Sequence, residues 1–216
     1  MNIHTIRHGF STAYLIDDAG RLMLIDTSVP GTAPSIMAKI NEVGGELSLI
    51  VLTHCHYDHS GSAGAVRERT GAKIGIHRLD APQLRQGGLV TLEPTGTVPR
   101  IMKRFLGGTP IPPTEPDFEF EDTEELSEFG GFGNTFWTPG HTPGSQSVLL
   151  PDGSIIAGDA LAGGFIRPAH AHGPMFVTDT SAARQSITDI ARRATNGVWV
   201  AHGGHLRQRS LDDLSR

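Results

Sequence analysis

The sequence predicts an α/β fold in which two α/β halves stack as a four-layer sandwich. Three observations carry this expectation. In the first half, apolar runs of strand length alternate with stretches of helical period, in the order strands, helix, strand, helix, strand. The second half repeats that theme loosely. In both halves, apolar runs end on histidine or aspartate, which places the loops of the two halves at one edge.

Residues 3–8, 11–16 and 21–25 read as three short strands, with Asp17-Asp18-Ala19-Gly20 as the turn between the second and third. Leu22-Met23-Leu24-Ile25 then ends at Asp26-Thr27-Ser28. Residues 32–43 read as a helix, with Pro34 in its first turn and Gly44-Gly45 closing its end. Leu47-Ser48-Leu49-Ile50-Val51-Leu52 is an apolar run that reads as a buried strand, followed by a helix over residues 61–70 and a strand over 73–77. Residues 83–116 differ in character, being rich in Gly and Pro. Within them Val98, Ile101, Met102, Phe105 and Leu106 recur at helical spacing, with Pro99 near the start and Arg100, Lys103 and Arg104 elsewhere on the wheel. One amphipathic helix is expected in this insert, as a plug for the core, a lid over a substrate cleft, or a subunit contact such as that of a homodimer. Beyond it, residues 117–121, 133–138, 145–150 and 154–157 read as strands, the last two joined by Pro151-Asp152-Gly153. Residues 180–195 read as a helix capped by Asp179 or Thr180, with Ile187, Ile190, Ala191 and Ala194 on one face. A last strand over 198–201 and a terminal helix over 206–214 complete the reading.

Composition bounds the function. With 216 residues, 38% apolar and 19% charged, the chain reads as one domain over residues 1–216. A formal charge of −5 offers no basic footprint for nucleic acid, so a small-molecule partner is expected instead. The single cysteine excludes an intramolecular disulfide and fits a reducing compartment. The first residues lack a charged and then apolar leader pattern, and no apolar run approaches about 18 residues. The expected location is the cytoplasm, with no membrane span.

The chemistry concentrates in Thr53-His54-Cys55-His56-Tyr57-Asp58-His59-Ser60-Gly61, at the end of an apolar strand. In extended backbone His54 and His56 point the same way, while Asp58 and His59 follow as the chain turns into a helix. Neutral imidazole and ionised carboxylate suit a borderline divalent cation such as zinc, and this geometry can feed two adjacent cations. Cys55, between the two histidines, points away and reads as a buried, inert thiol. Three further elements end on a candidate ligand: His141 in the rigid turn Thr138-Pro139-Gly140-His141-Thr142-Pro143-Gly144, Asp159 after Ile156-Ala157-Gly158, and His202 after Val200-Ala201. His202 is preferred to the nearby His205 because it directly ends the strand. His4, His8 and His77 read as structural.

His54-x-His56-x-Asp58-His59, then His141, Asp159 and His202 in that order, resembles the metallo-β-lactamase fold superfamily, over essentially the whole chain from Asp26 to the last strand. The resemblance implies an αββα sandwich with the active site where the two halves meet. It implies that His54, His56 and His141 hold one metal, that Asp58, His59 and His202 hold a second, and that Asp159 bridges them. Two divalent ions are implied, zinc first, with iron or manganese as alternatives. Asp26 matches a superfamily carboxylate that supports the site from behind the ligands, although a plain turn carboxylate would look the same. Two cations about 3.5–4 Å apart share a water, lower its pKa and hold hydroxide as the nucleophile. Asp58 is further implied in proton handling.

Within the superfamily, an aspartate at position 159 argues for thioesterase, lactonase or phosphodiesterase branches over the true β-lactamases. Acyl-homoserine lactonases place a tyrosine three residues after the bridging aspartate, where this chain has Ala162. Glyoxalase II enzymes share the seven ligands and a Gly-rich stretch with a basic residue, loosely matched by Gly163-Gly164-Phe165-Ile166-Arg167; their C-terminal helical substrate domain has no counterpart here, so a full glutathione site of that type is not expected. His170 and His172 fall in the same loop, where substrate contact, a proton relay or plain solvation are all open, and Arg167 with Arg100, Lys103 and Arg104 suits either an anion or solvent. The expectation is a dinuclear metallo-hydrolase acting on a thioester or lactone ahead of a phosphodiester. Its alternatives are a mononuclear iron oxidoreductase of the persulfide dioxygenase type and a non-catalytic metal-binding scaffold or sensor.

Overall fold

Alternation along the strands decides the layers. In β3 (Arg21–Ile25), Leu22 and Leu24 face one way and Met23 and Ile25 the other, and all four are fully buried. A strand apolar on both faces must lie between two packed layers. The same holds in β4 (Glu46–Leu52), where Ile50 and Leu52 face one core while Leu49 and Val51 face another. Leu47 would share a face with Leu49 in a regular strand, yet it packs with Ile50, because the pairing with β3 shifts register between Leu22 and Met23.

The computed structural model describes residues 1–90, 94, 95, 97, 109–164 and 167–215. β1 (Asn2–His8), β2 (Ser11–Asp18), β3, β4, β5 (Lys73–His77) and β6 (Phe118–Phe120) form a six-stranded sheet in chain order, antiparallel through β3 and parallel from there. Its outer face carries α1 (Ala33–Val43), α3 (Ala63–Thr70) and α4 (Ala81–Gln86), whose Ile36, Ile40, Val66 and Leu84 join the first core. Between β4 and α3 lies one further turn of helix, α2 (Tyr57–Ser60).

A second six-stranded sheet has the order β14, β13, β10, β9, β8, β7. Its strands are β7 (Thr123–Glu125), β8 (Asn134–Trp137), β9 (Gln146–Leu149), β10 (Ile155–Ile156), β13 (Val198–Val200) and β14 (Gly204–Leu206), and a small hairpin of β11 (Ala162–Gly163) and β12 (Ala171–His172) stands apart. The outer face packs Ile155, Val198 and Val200 against Ile187 and Ile190 of α5 (Thr180–Arg193) and Leu211 of α6 (Gln208–Leu214). Between the sheets Tyr14, Ile16, Met23, Ile25, Val51, Phe120, Val148 and Ile156 make the central core. The order is helices, sheet, sheet, helices, as expected. Tyr14 adds a polar link across the seam, its hydroxyl donating to the Val200 carbonyl at 2.6 Å.

Several boundaries differ from expectation, each for a local reason. The second strand runs on to Asp18, because Asp17 and Asp18 pair with Leu22 and Arg21 and leave only Ala19 and Gly20 for the turn. The helix expected over 61–70 starts at Ala63, and a separate helical turn over Tyr57–Ser60, not expected, comes before Gly61-Ser62, so Asp58 and His59 already lie on helical backbone. Leu206 belongs to β14, paired with Val198, and the last helix starts at Gln208. Strand β7, helix α4 and the hairpin of β11 and β12 were not expected, being too short or too polar to show a period. The insert over 83–116 leaves and returns through a bridge between Gly88 and Ile111. The amphipathic helix expected around 98–106 lies outside the described residues. Among the described residues no helix is long and apolar enough to cross a membrane.

Candidate metal centre

Four loops at one edge of the two sheets bring together the seven side chains singled out from the sequence. His54 and His56 leave β4, Asp58 and His59 ride on α2, His141 follows β8, Asp159 follows β10, and His202 follows β13. His54 Nε2 lies 3.0 Å from His56 Nδ1 and 3.1 Å from His141 Nε2, and His141 Nε2 lies 2.9 Å from His56 Nδ1. Beside this trio, His202 Nε2 is 3.4 Å from Asp58 Oδ2, and His59 Nε2 is 4.0 Å from it. Asp159 stands between the two groups. Its Oδ1 is 3.4 Å from His59 Nε2, and its Oδ2 is 3.2 Å from His202 Nε2 and 3.6 Å from His141 Nε2. Three sets of ligand atoms therefore lie within 4.8 Å of one another: His54, His56 and His141; Asp58, His59 and His202; and His54, His59 and Asp159.

The other nitrogen of most of these rings is anchored, which fixes the tautomer. His141 Nδ1 donates to the Phe176 carbonyl at 2.7 Å and His202 Nδ1 to the Phe10 carbonyl at 2.9 Å. His59 Nδ1 donates to Asp26 Oδ2 at 2.8 Å. His54 Nδ1 lies 3.1 Å from Thr53 Oγ1, which itself donates to Asp26 at 2.8 Å. With Nδ1 of His54, His59, His141 and His202 spent on an acceptor, their Nε2 atoms face the cluster, while His56 presents Nδ1; metal-ligating histidines adopt this arrangement. Asp26 is buried, with a left-handed φ of 61° that only a few per cent of non-glycine residues adopt. Beyond the two side chains it also accepts from the Thr53 amide at 2.8 Å.

Burial governs the titration of the trio, holding His56 down to about 3 and lowering His54 and His141, with neighbouring imidazoles pushing His54 the same way. Burial also works against protonated His59, but Asp159, Asp26 and Asp58 outweigh it and raise that ring to about 10. His202 is raised well above the ordinary range, Asp159 and Asp58 overcoming burial. Asp58 and Asp159 are held low by His59 and His202 in spite of burial. Burial pushes the Cys55 thiol up to about 12, with Asp80 adding to the effect. Its side chain packs in the outer core, away from the histidines.

The donor set fits a divalent cation. His54 and His141, with their protons at Nδ1, bring two unprotonated Nε2 atoms to 3.1 Å, and such lone pairs repel unless positive charge lies between them. His59 Nε2 and Asp159 Oδ1 are buried and face each other at 3.4 Å without forming a well-aligned hydrogen bond, as suits two donors turned to a shared cation. Imidazole nitrogen and carboxylate oxygen are the ligand types that zinc and its first-row neighbours accept.

One residue that sequence reasoning missed ties the loops together. Asp80, buried before α4, accepts from the Cys55 amide at 2.8 Å, the Gly144 amide at 2.8 Å and the Thr142 hydroxyl at 2.9 Å. It clamps the His54–His56 loop to the His141 loop. A side chain at Gly144 would collide with it, since a Cβ there would lie 2.5 Å from Asp80 Oδ1. Asp80 stands at the N-cap position of α4, yet its side chain makes no cap hydrogen bond. Gly158 is a second tight spot, with φ of 52° and Thr53 Oγ1 2.6 Å from where a Cβ would be, so the turn into Asp159 packs against Thr53.

The cluster opens into a cleft of about 320 Å³ lined by Phe10, Tyr57, Pro168, Met175 and Phe176 among others, with His56, Asp58, His141, Asp159 and His202 at its floor. Arg167, His170 and His172 are not among its lining residues. Arg100, Lys103 and Arg104 lie outside the described residues. His205 packs at a tilt against Trp199 with ring centroids 4.6 Å apart, and His77 stacks on Trp137 at 5.8 Å, both away from the cluster.

Residues 6–205 match the sequence family described as the Metallo-beta-lactamase superfamily. The chain is similar to YobT of Bacillus subtilis (strain 168), at 33% identity over 91% of this chain and 84% of that protein. It is similar to the probable metallo-hydrolase YflN of the same organism, at 27% identity over 93% of this chain and 83% of that one. A hydroxyacylglutathione hydrolase of Cereibacter sphaeroides is 29% identical over 69% of this chain, which spans only 47% of that enzyme. In structure, the BLEG-1 B3 metallo-beta-lactamase superposes with a TM-score of 0.72 at 23% identity, covering 98% of this chain and 97% of that one. At that identity the likeness concerns the fold alone.

Proposed function

Because the chain belongs to the metallo-beta-lactamase superfamily, we propose that it is a metal-dependent hydrolase that opens an ester-like bond with the help of two divalent cations, zinc foremost. A thioester or lactone is favoured over a phosphodiester, and one relative named a hydroxyacylglutathione hydrolase supports the thioester. The observation that carries the reading is the split of the cluster into two sets of ligand atoms with Asp159 between them. His54, His56 and His141 would hold one cation, Asp58, His59 and His202 the second, and Asp159 would serve both. A mononuclear site would leave half of these buried donors without purpose.

Bound there, the cations supply Lewis acidity at the acyl oxygen and an acidified water. The protein's own groups do the rest. Asp26 and the carbonyls of Phe10 and Phe176 hold the ring nitrogens in register. Asp58, at the cleft floor, turns Oδ2 to the ligand set, 3.4 Å from His202, which leaves its other carboxylate oxygen to take a proton and return it to the departing group. For a thioester the balance is simple: water adds to the acyl carbon, the C–S bond breaks, and a carboxylate, a thiol and one proton leave. The enzyme is read as one domain over residues 1–216, cytoplasmic and acting on a small molecule.

The test begins with metal content per chain on protein purified without added metal. Hydrolysis of a thioester, a lactone and a phosphodiester follows, in wild type and in Asp159→Ala. Two zinc per chain, with turnover of one substrate class lost in the variant, is the expected result. One iron per chain, or no turnover of any ester by the fully metallated protein, would overturn it and favour the redox or scaffold alternative.

A further inference from the structure

The wall above the metal centre differs in chemistry from its floor. Every ionisable residue that lines the cleft with a histidine or carboxylate side chain belongs to the ligand cluster, and no lysine or arginine lines it among the described residues. The wall itself is apolar or aromatic, made by Phe10, Tyr57, Ala162, Pro168, Met175 and Phe176. Phe10 is 50% exposed although large and apolar, and its ring stacks over His202 at 5.6 Å and meets Tyr57 edge-on at 6.5 Å. The Met175 carbonyl accepts from the Thr95 amide at 3.0 Å and the Thr95 hydroxyl at 2.8 Å, which fixes the opposite wall.

These walls are built from the same residues that hold the ligands. Phe10 fixes His202 through its carbonyl and Phe176 fixes His141 through its own. An acyl carbon at the cluster must therefore send its chain along Phe10, Tyr57 and Met175. A carboxylate or phosphate on that chain would leave water and find no lysine or arginine among the described lining residues to pair with, which is unfavourable. An alkyl chain would gain about fourfold in binding for each methylene buried.

We propose that the cleft selects an uncharged substrate with an apolar acyl chain of several carbons, held against Phe10, Tyr57 and Met175. This rests on the hydrolase reading above and adds the substrate class. It implies a supplying reaction that makes an acyl thioester or lactone, and a consuming reaction that takes the free fatty or hydroxy acid.

The test uses the full chain loaded with zinc and a series of N-acetylcysteamine thioesters from acetyl to octanoyl. kcat/KM is expected to rise about fourfold per methylene until the cleft is filled. The Phe10→Ala variant should flatten that slope, losing more on hexanoyl than on acetyl. A flat series, or faster turnover of the succinyl thioester or of S-lactoylglutathione than of hexanoyl, would overturn the proposal while leaving the hydrolase intact. If no thioester or lactone is cleaved, the hydrolase reading itself fails. The cleft is then judged by calorimetry with N-methylhexanamide, which the enzyme cannot cleave as a thioester. Binding with a negative heat-capacity change that weakens in Phe10→Ala supports the apolar cleft, and no binding refutes it.

Discussion

Removing the Asp80 carboxylate should loosen the metal centre without touching a ligand. Asp80 accepts hydrogen bonds at 2.8, 2.8 and 2.9 Å from groups on two separate ligand loops. In Asp80→Ala, Thr142 keeps an alternative in Ser145 at 2.8 Å, but the Cys55 and Gly144 amides lose their acceptor in a buried place. Each of the two orphaned donors costs about 1–3 kcal/mol, so a loss of about 2–6 kcal/mol is expected, whose upper end would unfold a marginal domain. Asp80→Asn is the gentler probe, since it keeps the shape and one acceptor while setting an NH2 group against an N–H donor, at about 1–3 kcal/mol. Because the brace fixes where His54 and His56 sit relative to His141, zinc affinity should fall by about 10–100-fold. Chelator competition measures that affinity and a urea midpoint measures stability on the same samples. An Asp80→Asn protein with wild-type zinc affinity and an unchanged midpoint would refute the brace.

Two further substitutions separate support from stability. Asp26→Asn should weaken the hold on His59 and lower affinity at the set containing Asp58, His59 and His202 by about 10–100-fold, leaving the other set occupied; titration of the metal-free protein with zinc should then show one tight and one weakened equivalent in place of two tight ones. Asp117, far from the cluster, is the control, as it accepts from the Ile74 amide and the Lys73 ammonium, both at 3.0 Å. Burial works to raise its pKa, but Ile74 and Lys73 hold it below the usual range, so its contribution is present above the unfolded value of about 3.9 and fades as pH falls through the folded one. Asp117→Asn should cost at most about 1 kcal/mol at pH 7, a deficit that shrinks below about pH 4, with zinc affinity unchanged. Urea midpoints across pH check the first part, and an altered zinc affinity would show that the Asp80 result was mere destabilisation.

What was legible in the sequence depended on whether the signal was local. His54, His56, Asp58 and His59 stand within six residues after an apolar run, so spacing alone exposed them. His141, Asp159 and His202 were legible because each ends a strand at a Gly-rich turn, and all seven converge in space. Asp80 was not, because it is a lone carboxylate with no pattern around it, and its partners are 25 and 62–64 residues away. Phe10 was hidden for a similar reason, a single aromatic in a hairpin turn whose use is set by His202, 192 residues on. At the level of the fold, the strands that bury both faces announced themselves. The short pieces β7, α4, β11 and β12 did not, since two to six residues carry too few positions for a period to emerge.

The seam explains why the site sits where it does. Each of the three sets of ligand atoms mixes residues preceding and following the insert, so none is complete within one half. A site shared in this way exists only when the two sheets dock. Docking does not need the metal, because the central core from Tyr14 to Ile156 buries its side chains without any ligand residue. Gln146 reinforces the same edge, its amide donating to the Thr53 carbonyl and its side chain to the Leu52 carbonyl, both at 2.9 Å. The apolar seam thus sets the distance between the halves, and the hydrogen bonds of Asp26, Asp80 and Gln146 set the angles of the loops upon it. The ligands inherit a geometry already fixed by packing, which lets a cluster of buried, mutually repelling rings persist in a fold whose stability lies elsewhere.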